Sequence, residues 1–421
     1  MHKGVTAGLA QPADTAQGAG EVAHSYRSVR ALSEALAAPL SDADATLQSM
    51  EDASPAKWHL AHTTWFFETF LLRERVPGYA RFSDDWPFLF NSYYESEGAR
   101  IDRFARGLLS RPTLAEVIAY RAHVDAAMGP LLDDPECAGL IALGLAHEQQ
   151  HEELLQTDIK HALFQNPLGP ALWPPQPRAR LAMEGAPAKW IEHSGGTVSI
   201  GHDGNGFAFD CEGPRHEVLL QPFAISAALV TNREWDAFIA DGGYAQPLLW
   251  LSDGWAWVRR EGIGAPLYWD GTRHFTLAGW EERDPDVPVT HISYFEADAF
   301  AQWAGARLPI EAEWEAVAAA SDPASGNQLD RAGPVQPVAE AAPSLFGNCW
   351  QWTRSAYLPH PRFRAAEGAV GEYNGKFMSG QFVLKGASCA TPRGHSRACY
   401  RNFFYPHQRW QFTGLRLAKD M

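Results

Sequence analysis

Residues His147-Glu148-Gln149-Gln150-His151 set two imidazoles four positions apart. At 3.6 residues per turn, positions i and i+4 share one helix face, so both rings can reach a single metal ion. Read as H-E-x-x-H, the same string is the zinc-peptidase signature, with Glu148 as the general base. Two histidines do not complete a site. The segment Trp58-His59-Leu60-Ala61-His62-Thr63-Thr64-Trp65 offers two more, three positions apart. A metzincin would place its third histidine at position 157, which is threonine here, so the peptidase reading is weakened. Three neutral imidazoles on an octahedral ion leave positions open for substrate and dioxygen together, which suits non-heme iron(II). Glu153 and Glu68 would then hold imidazole N–H groups and fix their tautomers. The competing reading is that these histidines only satisfy polar contacts in a helical core. The i,i+4 pair with a facing His-rich helix favours the metal.

The elements that must position these groups are helical. Apolar periodicity predicts helices near Ser28–Ala38 and over Pro55–Arg73, the latter with Ser54 as N-cap and Pro55 in its first turn. Two more are expected over Leu114–Leu132 and Cys137–Phe164. Together they predict a four-helix bundle over residues 23–165, whose interior is a usual place for metals held by facing helices. Residues 1–22 lack apolar periodicity and read as a disordered tail, and the Pro-rich stretch 166–180 reads as a linker. From 181 to 421, short strand-like runs alternate with Gly, Pro, Asn and Asp turns. Helices interrupt near Asn232–Ala240 and Tyr294–Ala304, which predicts an α+β domain rich in loops.

Composition narrows the function classes. The 421 residues suit two domains. A net charge of −15 argues against a nucleic-acid partner, which needs a basic face. No apolar run approaches the roughly 18 residues of a membrane helix, and the first residues lack the apolar core of a secretory signal. The five cysteines form no C-x-x-C pair and fit reduced thiols, so a cytoplasmic enzyme acting on small molecules is expected. The 16 Trp, 22 Phe and 12 Tyr supply core, and also the aromatic walls that bind organic cations.

The string Trp58 to Glu68 and the run carrying His147, His151 and Glu153 resemble the N-terminal DinB-like domain of the ergothioneine-forming sulfoxide synthases. The second half resembles their formylglycine-generating-enzyme-like domain, a C-type-lectin-related α+β fold. The matching segments are Val230-Thr231-Asn232, Ala306 to Glu315, Leu384 to Ser388 and Gly414 to Ala418. The resemblance implies Fe(2+) held by His62, His147 and His151, and so selects His62 over His59. It implies hercynine, the trimethyl betaine of histidine, as one substrate, joined at imidazole C2 to a chalcogen donor with O2. Asn402 and Gln150 match the residues on its carboxylate. Phe403, with Phe404 beside it, matches the aromatic wall on its trimethylammonium, a group that cannot donate hydrogen bonds. Asn91-Ser92-Tyr93-Tyr94-Glu95 resembles the paired-tyrosine loop of the cysteine-using branch, making Tyr94 or Tyr93 the proton or hydrogen-atom donor. Arg100 and Arg103 fall in the segment that recognises the donor.

The donor segment departs from that branch. Ile101 and Asp102 stand where relatives carry His-Pro, and Gly380 where they carry asparagine. These changes would suit a sugar donor, and the expectation leans to a selenosugar and C–Se bond formation, as in the related selenoneine synthases, with cysteine as the alternative. Two other classes compete. A copper oxidase of the formylglycine-generating kind needs two cysteines where this chain has Thr391 and Ser396. A lectin-like module that only binds would have no use for a complete three-histidine set.

Overall fold

The computed structural model describes residues 15–176, 190–340, 344–365, 371 and 374–421. The chain divides into two compact units, and the division falls between Leu155 and Gln156. The first unit is helical and the second is built of small sheets with interspersed helices, the two architectures expected from the sequence.

In the first unit the long helices are α1 (Thr15–Ala37), α2 (Ala56–Phe67), α3 (Leu114–Met128) and α4 (Ala138–Phe164), the last crossing the division. Helix α1 starts earlier than the sequence suggested, because Ala-rich residues carry high helix propensity without needing apolar periodicity. Ala23 and Tyr26 of α1 join a core with Phe66, Phe67, Tyr120, Val124, Ile141 and Leu145. The expected tail is thus partly helical, while residues 1–14 lie outside the described residues. Helix α3 opens on a capping box in which Thr113 and Glu116 satisfy each other's backbone amides. Helix α2 departs from expectation at its cap. Pro55, not Ser54, is the N-cap, and the Ser54 hydroxyl accepts from Arg106 instead. After Phe67 the helix widens into a π-turn, Glu68–Leu72, closed by the Arg73 amide donating to the Glu68 carbonyl.

Among the described residues, the second unit holds four sheets. Strands β1 (Trp190–His193), β4 (Phe223–Ser226) and β12 (Ala418–Asp420) form one, in the order β1-β4-β12, and β2 (Gly196–Ile200) pairs with β3 (His216–Leu220). A three-stranded meander joins β5 (Trp269–Asp270), β6 (Arg273–Thr276) and β7 (Gly279–Glu282). The fourth sheet, in the order β10-β9-β8-β11, contains β8 (Trp350–Ala356), β9 (Phe382–Gly386), β10 (Asn402–Phe404) and β11 (Thr413–Gly414). The expected helices appear as α5 (Asn232–Ala240) and α7 (Tyr294–Trp303). Helices α6 (Ser252–Glu261) and α8 (Glu311–Ala318) were not anticipated. Their cores are Trp-rich: Trp235, Trp314, Trp350 and Trp352 are fully buried, and the Trp314 indole N–H donates to Gln351. The described part of the Pro-rich stretch is docked, because the Leu172 and Trp173 amides both donate to the Leu277 carbonyl. Its remainder, and the expected domain start at 181, lie outside the described residues.

Candidate metal centre

Helix geometry brings His62 of α2 against His147 and His151 of α4. One nitrogen from each ring lies within 4.8 Å of the others. The ring centroids are 4.9 Å apart for His62–His147 and for His62–His151, and 4.6 Å for His147–His151. The helices approach closely because Gly144 has no side chain. A Cβ there would stand 2.7 Å from the Phe67 ring, which justifies the roughly 1 kcal/mol that glycine costs inside a helix.

The histidines are prepared to bind as neutral rings. His62 Nδ1 lies 2.6 Å from the Phe90 carbonyl, which can only accept, so Nδ1 carries the proton and Nε2 keeps its lone pair. That Nε2 is buried without a hydrogen-bond partner, an expensive arrangement for a polar atom unless something else binds it. Burial, followed by the neighbouring histidines, pushes His62 and His151 well below the ordinary histidine value, and burial takes His147 down to about 3. Three neutral imidazole donors converging on one point fit a divalent transition metal.

The other predicted residues are placed differently. Glu68 is not on an imidazole: its carboxylate accepts from the Tyr79 and Tyr120 hydroxyls at 2.8 and 2.7 Å and from the Phe82 amide. Glu153 is half-buried on α4. The structure instead gives His59 a role that the sequence reading set aside, with its Nδ1 2.8 Å from Nδ1 of His151. Such outer partners orient a metal-binding ring.

The peptidase reading fails on Glu148. Its carboxylate is 1 % exposed and is taken by Arg30 at 2.9 Å, Arg121 at 2.8 Å and the Ser33 hydroxyl at 2.7 Å. It is a structural anion and not a base.

Tyr94 is fully buried, with its ring against Trp65 at 5.5 Å and Phe70 at 5.2 Å, and Trp65 in turn stacks on His62 at 5.7 Å. Tyr93 does not face the opposite way, as an extended loop would require. The Tyr93 and Tyr94 rings stack at 4.8 Å, because Asn91 closes the loop on the Tyr94 backbone and bends it. Gln150 precedes His151 on α4 and is half-buried. Arg100 pairs with Glu95 at 2.6 Å, and exposed Arg103 donates to the Asp52 carbonyl.

In the second unit, Asn402, Phe403 and Phe404 form edge strand β10. Phe403 stacks on buried Tyr357 at 4.1 Å, while Phe404 meets Trp410, whose indole N–H donates to Asp158 at 3.0 Å. Alternation along a strand puts Asn402 on the face of Phe404 and not of Phe403. Gly380 has φ +69, with the Tyr405 ring 3.6 Å from where a Cβ would stand. Its backbone thus explains the glycine without an enlarged pocket. Asp102 is exposed. The Ser396 hydroxyl donates to the Gly386 carbonyl, and the Thr391 hydroxyl accepts from the Ser388 amide. Both are buried, so no thiol pair for copper stands there, and none of the five cysteines is in a disulfide.

Sequence reasoning missed Arg106, Trp58 and Trp65. The Arg106 guanidinium lies 3.4 Å over the Trp58 ring, Trp58 stacks on His62 at 4.5 Å and 14°, and Trp65 lies parallel to His62 at 12°. The signal was present: Trp58, His62 and Trp65 are spaced i, i+4, i+7, one helix face.

The DinB superfamily matches residues 25–155, and the Sulfatase-modifying factor enzyme 1-like domain matches residues 182–342. Three relatives named hercynine oxygenase are similar over nearly the whole chain. That of Mycolicibacterium thermoresistibile is 35% identical over 419 residues, spanning 90% of this chain and 90% of the relative. That of Mycobacterium tuberculosis is 34% identical, with 90% and 94% covered. That of Mycolicibacterium smegmatis is 32% identical, with 87% and 91% covered.

Proposed function

Because the chain belongs to the hercynine oxygenase family, the sulfoxide synthases of the ergothioneine route, we propose that it is an Fe(II)- and O2-dependent enzyme that joins a thiol donor to imidazole C2 of hercynine. The observation that supports this most is the partnerless, tautomer-fixed Nε2 of His62 converging with His147 and His151. An iron(II) ion held there would supply the one-electron O2 chemistry that organic side chains lack.

The chain's own residues do the rest. The three neutral imidazoles hold the ion without protons to displace. On the family resemblance, Gln150 of the first unit and Asn402 of the second are each assigned to the hercynine carboxylate, and Phe403 or Phe404, which lie on opposite faces of β10, to the trimethylammonium. Arg100 and Arg103 face the donor's carboxylate. The buried Tyr94 phenol supplies a proton or hydrogen atom as the bond forms, with Tyr93 as its stacked neighbour. Cysteine is the proposed donor. The paired-tyrosine loop resembles the cysteine-using branch, and the glycine at 380 that had favoured a selenosugar has a backbone explanation.

The test is an anaerobic preparation reconstituted with Fe(II) and given hercynine, O2 and, separately, cysteine, γ-glutamylcysteine or selenoglucose, with products read by mass. A hercynyl-cysteine sulfoxide is the expected product. A product only from selenoglucose would move the donor assignment to the selenosugar, and no product from any donor would refute the hercynine reading.

A further inference from the structure

We propose that Arg106 is a positioning residue of the metal centre, one side chain that fixes both the plane backing His62 and the loop bearing Tyr93 and Tyr94. The inference rests on the metal-dependent reading above. Arg106 lies in the 3₁₀ turn Arg103–Leu108, of which it is the one buried member, at 4 % exposure. A guanidinium is costly to bury, so its contacts carry information. Its plane covers Trp58 at 3.4 Å, Nη1 donates to Ser54 Oγ at 2.9 Å, and Nη2 donates to Ser92 Oγ at 3.1 Å.

Each contact leads to a different part of the site. Ser54 immediately precedes the cap of α2, the helix that carries His62. Trp58 is one turn before His62 and lies parallel to it, and its indole N–H is fixed on the Leu89 carbonyl, next to the Phe90 carbonyl that holds His62 Nδ1. Ser92 is the residue before Tyr93. A planar, forked donor can stack on the indole and bond two hydroxyls at once, whereas lysine, a compact ammonium on a flexible stem, cannot. Arg106 thereby fixes the start of α2, the indole behind His62 and the tyrosine loop relative to one another.

Two variants of the full chain test this, R106K and S92A. The first readout is Co(II) affinity of the apo-protein, followed by the visible d–d band. The second is the fraction of consumed O2 that appears as coupled product. R106K is expected to weaken Co(II) binding by about tenfold, the lower end of the effect of losing an outer partner of a metal ligand because Trp58 stands between Arg106 and His62, with the apo-protein melting within a few degrees of the parent. S92A deletes one hydroxyl and the tie to the tyrosine loop. It should keep the parental Co(II) affinity and hercynine KM and lower kcat and coupling. Parental Co(II) affinity in R106K would overturn the role at His62. Should R106K fail to fold, S92A still decides, because parental kcat and coupling there would overturn the tie to the loop. A parent enzyme inactive with hercynine would refute the proposed function. The Co(II) arm would still test Arg106.

Discussion

Replacing Glu148 by glutamine separates a structural anion from a catalytic base in one experiment. The carboxylate is buried between Arg30 and Arg121, which are 3 % and 0 % exposed. Burial alone would raise its pKa, but the two guanidiniums and their hydrogen bonds override it and hold the group at about 2 against an unfolded 4.5. That difference corresponds to about 3 kcal/mol of stability. Removing one member of a buried ion pair costs about 3–5 kcal/mol. Arg30 would keep Asp125 at 2.8 Å, which puts E148Q at the lower end, again near 3 kcal/mol. For a unit of this size that is a fall in Tm of roughly 6–12 °C. Because the folded pKa is depressed, the stabilisation is present above pH 4.5 and is lost as pH falls towards 2. E148Q should therefore lie below the parent at pH 7 and converge with it in acid. Differential scanning calorimetry of both apo-proteins from pH 7 to pH 3 measures this. An E148Q protein that melts with the parent at pH 7 yet has lost turnover would refute the reasoning and return Glu148 to a catalytic role.

Alanine at His62, His147 or His151 should each abolish tight metal binding in a Co(II) titration, whereas His59→Ala, which removes only a partner of His151, should weaken it by about ten- to a hundredfold. Tyr94→Phe should keep Co(II) affinity and hercynine KM while O2 uptake uncouples from product. A variant that forms product at the parental rate would take this phenol out of the mechanism and turn attention to Tyr93. The three histidines are neutral in the fold but protonate below about pH 6.5 when unfolded, so the unfolded chain binds more protons in that window. The apo-protein should thus lose about 1 kcal/mol per histidine between pH 7.5 and 5.5, read from denaturant midpoints, and His147→Leu should flatten the slope.

What could be read from the sequence was what has a period. The i,i+4 spacing of His147 and His151 marked a candidate metal face, and the structure brings to it His62, which only the family resemblance had chosen over His59. The four long helices were legible for the same reason. What lacked a period was missed. Glu148 was ambiguous because motif and register agree for a base and a buried anion, and only Arg30 and Arg121, far away in sequence, distinguish them. Arg106 lies in a short 3₁₀ turn among exposed residues, where nothing local marks one arginine as buried. The stacking of Tyr93 on Tyr94 could not be read either, because an extended loop would point them to opposite sides and Asn91 bends it. Helix α8 escaped notice because eight residues are too few to show a helical repeat.

The π-turn at Glu68–Leu72 gives helix α2 two phases. A five-residue turn holds one residue more than a regular one, so everything after it is rotated by roughly 100° relative to an unbroken helix. Before it, the phase points His62 at α4, and within it Leu71 and Leu72 enter the apolar core. Neither register alone would serve both. A single-residue deletion there would leave every named side chain of the candidate metal centre in the chain and yet take Leu71 and Leu72 out of register with their core. Protein engineers who shorten or graft this helix must therefore conserve its residue count as strictly as its histidines.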